Sequence, residues 1–387
     1  MITASGAISA NRLEALEAFD ESKVGVKGLV DGGATTIPFF FRQTNRSVNP
    51  SPRHLSVPVV DLSLPRDVAV SAILSAARQW GFFQLLNYAL PIPLVRRALS
   101  AVRSFHELPA ADRSRFYTRK TESGVSYFSN IDLFLSSAAS WRDTLQIKTS
   151  PTPPNPERIP AVCREELLEW DAAATELARM VMGILAEGMG VEKERLEMMT
   201  CLEGRVIVGH YYPPCPEPEA TAGVVQHTDP AVLTLLLQDE IGGLQIRKEG
   251  DDGEFCWVDV NPAPGAIVVN VGDLLQMISN DEYKSVEHRV LANSHEDARV
   301  SIAMFFNPSK SEDSDIYGPL QELPHILLLP HSQAISISTV ASFSKSNLFV
   351  SHLRDKRIRQ RNSQPSDGFE PPSMPCDLRR QYYLATH

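Results

Sequence analysis

Val224-Val225-Gln226-His227-Thr228-Asp229 decides the reading of this chain. It sets a His-x-Asp pair at the end of an apolar run. Residues two apart on a strand share a face, so imidazole and carboxylate can converge on one ion. A third donor must come from another strand. His288 lies in the partly apolar run Ser285-Val286-Glu287-His288-Arg289-Val290, and Arg299-Val300-Ser301 begins eleven residues after it. Around these residues, short apolar runs alternate with turn residues. The runs are Val232–Gln238, Leu244–Arg247, Phe255–Val260, Ala266–Val271, Ser285–Leu291 and Val300–Phe306. Gly242-Gly243, Gly250-Asp251-Asp252-Gly253 and Pro262-Ala263-Pro264-Gly265 punctuate them. Many short strands at near-regular spacing predict a barrel or jelly roll.

The donor set has its own chemistry. Two imidazoles and one carboxylate form a facial triad that leaves coordination positions open on Fe(II). Arg299 stays charged at any relevant pH and presents a fork that fits a carboxylate, while Ser301 on the same strand face adds a hydroxyl. A carboxylate co-substrate beside iron is the expectation. His210-Tyr211-Tyr212-Pro213-Pro214-Cys215-Pro216 reads as a proline-stiffened turn, with the Tyr212 phenol a further donor to that co-substrate.

Chance weighs against each piece alone. His288 by itself fits a core histidine equally well, and Arg299 by itself a surface ion pair. His295-Glu296-Asp297 repeats the His-x-Asp pattern inside the polar run Ala292–Asp297, which reads as a solvated hairpin loop and not a metal site. The combination of His227, Asp229, His288, Arg299 and Ser301 gives the pattern its specificity.

The remaining chain reads as helices and strands that buttress this half. Leu13, Leu16 and Phe19 mark a short helix, Val57–Leu62 a strand, 67–79 a helix and Gly81–Tyr88 a second strand. Five prolines between Ser150 and Pro160 exclude helix there. Leu167, Trp170, Ala174, Leu177, Val181 and Ile184 recur at helical steps, stopped by Gly188 and Gly190. The predicted organisation is an N-terminal helix and linker (1–56), a helix-rich region (57–160), a buttressing helix (161–203), a jelly-roll domain (204–310) and a divergent tail expected to be disordered (320–387).

Bulk properties narrow the function classes. Across 387 residues, apolar content of 43% and charged content of 22% are those of a globular protein. A net charge of −10 argues against nucleic-acid or anionic-membrane partners. The five cysteines form no CxxC pair and read as free thiols in a reducing compartment. The N-terminus lacks a secretory pattern and no stretch is long and apolar enough for a membrane span. A cytoplasmic monomer acting on a small molecule is expected.

These motifs resemble the plant 2-oxoglutarate/Fe(II)-dependent dioxygenases, most closely the 1-aminocyclopropane-1-carboxylate oxidase homologues, and also the benzoxazinoid-glucoside dioxygenase of grasses. The supporting runs are Phe19–Asp31, Trp80-Gly81-Phe82-Phe83-Gln84, Ser129–Phe134 and Trp141-Arg142-Asp143-Thr144-Leu145. The resemblance implies a mainly β fold with flanking helices, a double-stranded β-helix (jelly roll) core. It implies iron at His227, Asp229 and His288, and 2-oxoglutarate at Arg299, Ser301 and Tyr212. Phe305, Tyr127, Asn130 and Val208 fall near the relatives' substrate pocket.

The implied reaction uses O2, converts 2-oxoglutarate to succinate and CO2, and hydroxylates or desaturates a small plant specialised metabolite, with ascorbate as reductant. Two alternatives stay open: an ethylene-forming-type iron oxidase without 2-oxoglutarate, and a non-catalytic pseudoenzyme. The pattern departs from relatives at Asn87-Tyr88-Ala89-Leu90, at His210 where Asn is usual, and after Tyr317-Gly318-Pro319-Leu320. The basic run Arg354–Arg361 reads as part of the divergent tail and not as a nucleic-acid patch.

Overall fold

A computed structural model describes residues 4–43, 55–250, 253–309, 316–320, 322–323 and 335–336. The basic run Arg354–Arg361 and most of the predicted tail lie outside the described residues. The described residues belong to one compact unit.

Twelve strands carry the architecture: β1 Val59–Asp61, β2 Phe82–Leu86, β3 Val125–Phe128, β4 Asp143–Ser150, β5 Gly204–Tyr212, β6 Ala222–His227, β7 Leu233–Gln238, β8 Leu244–Glu249, β9 Phe255–Asp259, β10 Ile267–Val271, β11 His288–Leu291 and β12 Arg299–Asn307. Eight form one sheet in the order β1-β2-β10-β7-β12-β5-β4-β3, and four form a second in the order β6-β11-β8-β9. The two sheets make a jelly roll with flanking helices.

Period-two patterning assigns the faces. Leu145, Ile147, Ile207, Tyr211, Val300, Ile302 and Met304 turn one face of the large sheet toward the helices Arg66–Gln79, Ile92–His106 and Arg164–Gly188. The opposite face meets the small sheet through Phe82, Tyr212 and Val268 against Val224, Leu244, Ile246, Val258 and Val290.

The helix Arg164–Gly188 buries Leu167, Trp170, Ala174, Leu177, Val181 and Leu185 at three- and four-residue steps, with Glu165 and Glu166 complementing its N-terminal dipole. Asp171 on that helix accepts from Nε and Nη2 of Arg205, at 3.2 and 3.1 Å, which locks it to the start of β5.

A third cluster seats the N-terminal segment. Leu16, Phe19, Val26, Phe40, Phe41 and Trp141 pack together, and the buried Asp143 carboxylate accepts from the Val26 and Lys27 N–H groups, each at 2.8 Å. The first turn of the helix Gly25–Asp31 is thus capped by a strand residue far along the chain.

Several sequence expectations shift. β6 ends at His227, so Thr228 and Asp229 lie in the connection to β7 and not on an alternating strand. His210 and Tyr212 close β5 rather than forming a turn. β3, β4 and the helix Ile92–His106 fall in the region expected to be helix-rich, with no individual element predicted for any of them. Leu320, placed in the tail, is buried and donates its N–H to the Ile278 carbonyl, while Ile335–Ser336 pairs antiparallel with Ile316–Tyr317.

Candidate metal and co-substrate site

The site is built where the open end of the small sheet meets β7, β10 and β12. His288 and His227 are direct cross-strand partners on β11 and β6. Asp229 joins them from the loop: its Oδ1 lies 3.5 Å from His227 Nε2 and 3.6 Å from His288 Nε2. The position of Asp229 depends on close backbone packing. Gly272 runs so near the Ala231 carbonyl that a Cβ would stand 1.9 Å from it, and the Asp273 N–H donates to the Asp229 carbonyl at 2.7 Å.

Hydrogen bonds aim each donor inward. His227 Nδ1–H donates to the Val225 carbonyl at 2.9 Å and His288 Nδ1–H to the Val286 carbonyl at 3.1 Å. These bonds fix the tautomer that leaves both Nε2 lone pairs facing Asp229. The other carboxylate oxygen, Oδ2, accepts from Thr234 Oγ1 at 2.7 Å and Asn270 Nδ2 at 2.8 Å, which leaves Oδ1 free to bind.

Electrostatics agree. Burial and then His227 push the His288 imidazole down to about 4, so it is uncharged at neutral pH. Burial alone would raise Asp229, but His288, His227 and Asn270 outweigh it and hold the carboxyl below its usual range.

These residues fit a divalent iron. The three donor atoms lie within 4.8 Å of one another. Metal–donor bonds of about 2.1 Å place neighbouring donors roughly 3 Å apart, a small contraction from the distances here. Two imidazoles and one carboxylate, with no thiolate in the cluster, are the donor set of non-haem Fe(II) oxygenases.

Next to the cluster, β12 presents Arg299 and Ser301 on one face. Arg299 is 2% exposed, and no carboxylate pairs with it among the described residues. One arm donates to Ser301 Oγ at 3.2 Å and the other to Gln238 Oε1 at 3.0 Å, while Nε has no partner. The guanidinium lies over the Tyr212 ring at 4.8 Å, and Tyr212 is its register partner on β5. A buried guanidinium without an anion is costly, so this cradle is made for one.

The remaining candidates divide. Phe305 shares the Arg299–Ser301 face, is half-buried, and pairs in register with Thr234. Val208 pairs with Ala303 on that same face. Asn130 spends its amide on the loop, donating to the Ser140 carbonyl and accepting from the Ser140 N–H. Tyr127 is not brought to the site. It pairs with Leu145 on the helix-facing side and packs against Phe105 and His106, with centroids 5.4 and 5.7 Å away. His295 sits exposed in the β11–β12 loop, apart from the cluster. Gln238, Thr234 and Asn270 complete the site and escaped sequence reading, since a polar residue within or ending an apolar strand has no signature of its own.

Residues 204–308 match the model of the 2OG-Fe(II) oxygenase superfamily, and residues 57–166 match that of the N-terminal region of non-haem dioxygenases in morphine synthesis. The chain is 42% identical to 1-aminocyclopropane-1-carboxylate oxidase homolog 1 of Arabidopsis thaliana over 88% of its own length and 94% of the relative's. The chain belongs to the 2-oxoglutarate/Fe(II)-dependent dioxygenases of plants. Another relative, 40% identical over 89% of this chain and 98% of its own, is a probable 2-oxoacid dependent dioxygenase from the same plant. Among solved structures, JOX2 in complex with 2OG, Fe and JA superposes with a TM-score of 0.73 at 29% identity, covering 84% of this chain and 94% of that one. The enzyme is therefore a 2-oxoglutarate-dependent oxygenase with Fe(II) as its metal. Among the described residues, no helix is long and apolar enough to cross a membrane.

Proposed function

We propose that this dioxygenase hydroxylates or desaturates a small plant specialised metabolite while 2-oxoglutarate is converted to succinate and CO2. In this reading His227, Asp229 and His288 hold the iron. When bound, iron supplies the activation of O2. The protein's part is binding, orientation and exclusion of water.

Arg299 takes the distal carboxylate of 2-oxoglutarate as a two-armed fork, Ser301 and Gln238 set the plane of that fork, and the Tyr212 ring backs it. Phe305 and Val208, on the same face, flank the organic substrate. Packing of the two sheets shields the site, which strengthens each of these polar contacts. The buried Arg299 without a carboxylate partner carries this reading. JOX2, solved with 2OG, Fe and a third component JA, supports a ternary arrangement of this kind.

In an iron oxidase that draws electrons from its own substrate Arg299 would hold another anion, and release of succinate separates the two readings. The net charge of −10 favours a small-molecule substrate over nucleic acid, and we read the enzyme as a cytoplasmic monomer. An untargeted metabolite screen with succinate formation as readout tests the proposal. Succinate released in step with one metabolite's oxidation supports it, and oxidation of a metabolite without succinate would contradict it.

A further inference from the structure

A second guanidinium, in step with the sheet face that carries Arg299, is left unused by the reading above. Arg142 stands one residue before β4, in step with Thr144, whose register partner on β5 is His210. His210 pairs in turn with Ser301, on the face that carries Arg299. The residues flanking Arg142 turn the other way. Trp141 is buried in the N-terminal cluster, and Asp143 accepts from Val26 and Lys27.

Arg142 is half-buried, and its Nε is shut off from solvent with no hydrogen-bond partner. It forms no ion pair among the described residues, in contrast to other part-buried arginines of this chain. Arg103 meets Asp239, Arg119 meets Asp20, and Arg205 meets Asp171.

Its surroundings place it at the site. His210 is held uncharged by burial first, then by Arg142, then by Arg299, with His106 and His227 weaker influences. His210 is the register partner of both Ser301 and Thr144, its ring lies 5.9 Å from that of Tyr212, and its Nδ1 is 3.1 Å from Thr144 Oγ1. Charge counting sharpens the point. Iron(II), Asp229, a 2-oxoglutarate dianion and Arg299 together are neutral, so the Arg142 charge remains uncompensated. A partly desolvated cation without a partner favours binding of an anion.

We propose that Arg142 binds the carboxylate of the organic substrate, so that the enzyme acts on small organic acids. This rests on the oxygenase reading of the site and narrows its substrate class. Arg142 positions the acid, with Thr144 and His210 beside it as polar neighbours.

The test uses the full chain under anaerobic conditions with Fe(II) and 2-oxoglutarate, followed by the visible charge-transfer absorption of that complex. Hexanoic, phenylacetic and cinnamic acids are titrated, each against its methyl ester. At least one acid is expected to perturb the band at concentrations where its ester does not. Arg142→Gln should raise that acid's Kd roughly tenfold or more, leave the Kd of 2-oxoglutarate unchanged, and be partly rescued by Arg142→Lys. Equal binding of acids and esters, or of acids to wild type and Arg142→Gln, overturns the proposal. So does a parallel loss of 2-oxoglutarate binding, which would assign Arg142 to the co-substrate. Failure of the underlying oxygenase reading is separate and visible first: the band itself would not form in wild type before any acid is added.

Discussion

His227 and His288 face each other across β6 and β11 in direct register, with ring centroids 4.2 Å apart. The ladder between two strands therefore sets the spacing of the two imidazoles, and only Asp229 depends on a loop. Loss of the carboxylate should leave the fold intact and remove the metal. Asp229→Ala or His227→Ala is expected to abolish Fe(II) binding in equilibrium dialysis, with the far-UV circular dichroism spectrum unchanged.

The residues behind Asp229 should matter nearly as much. Thr234→Val and Asn270→Ala each remove one hydrogen bond to Oδ2. Weakening of Fe(II) affinity by roughly 10- to 100-fold is expected, the usual effect of removing a group that orients a metal ligand. Unchanged affinity in both variants would show that Asp229 holds its position without them.

Arg299 should govern 2-oxoglutarate and not iron. Arg299→Gln leaves Ser301 and Gln238 facing an uncompensated carboxylate, a loss of about 2–5 kcal/mol in co-substrate binding. The KM for 2-oxoglutarate is the measurement, with Fe(II) affinity as the control. Arg299→Lys should rescue only in part, because an ammonium has no planar fork.

His295 offers a contrast. Its exposed loop position predicts that His295→Ala changes stability by less than about 0.5 kcal/mol and leaves Fe(II) binding as it was. Loss of metal in that variant would overturn the assignment of the site.

His106 predicts an acid sensitivity unrelated to catalysis. Fully buried and stacked on Tyr211, it is driven by burial from 6.5 down to about 3. A base with a depressed folded-state value contributes its full stability above 6.5. As pH falls from 6.5 toward 3 the unfolded chain binds the proton first, and stability is lost. The Tm of wild type should therefore fall more steeply over that window than the Tm of His106→Gln.

Legibility in the sequence followed the physics of each element. Turn residues delimited the short strands of the jelly roll, and the helix Arg164–Gly188 announced itself by period. The iron-site residues were readable because their types are chemically unusual together. The reason first given for Asp229 was not: β6 stops at His227, and the packing of Gly272 on the Ala231 carbonyl sets the loop. Tyr127 illustrates a different limit. Alternation says that Tyr127 and Phe128 face opposite ways, but only the register with β4 tells which of them meets the helices. Gln238 needed the same information, since its partner Ser301 lies on a strand far along the chain.

The most direct measurement is Fe(II)-dependent formation of succinate from 2-oxoglutarate by the purified full-length enzyme, with a metabolite extract and ascorbate present. Wild type should release succinate, while His227→Ala, Asp229→Ala and His288→Ala release none and His295→Ala matches wild type. Succinate formation that survives loss of Asp229 would contradict the iron site at the centre of this structure.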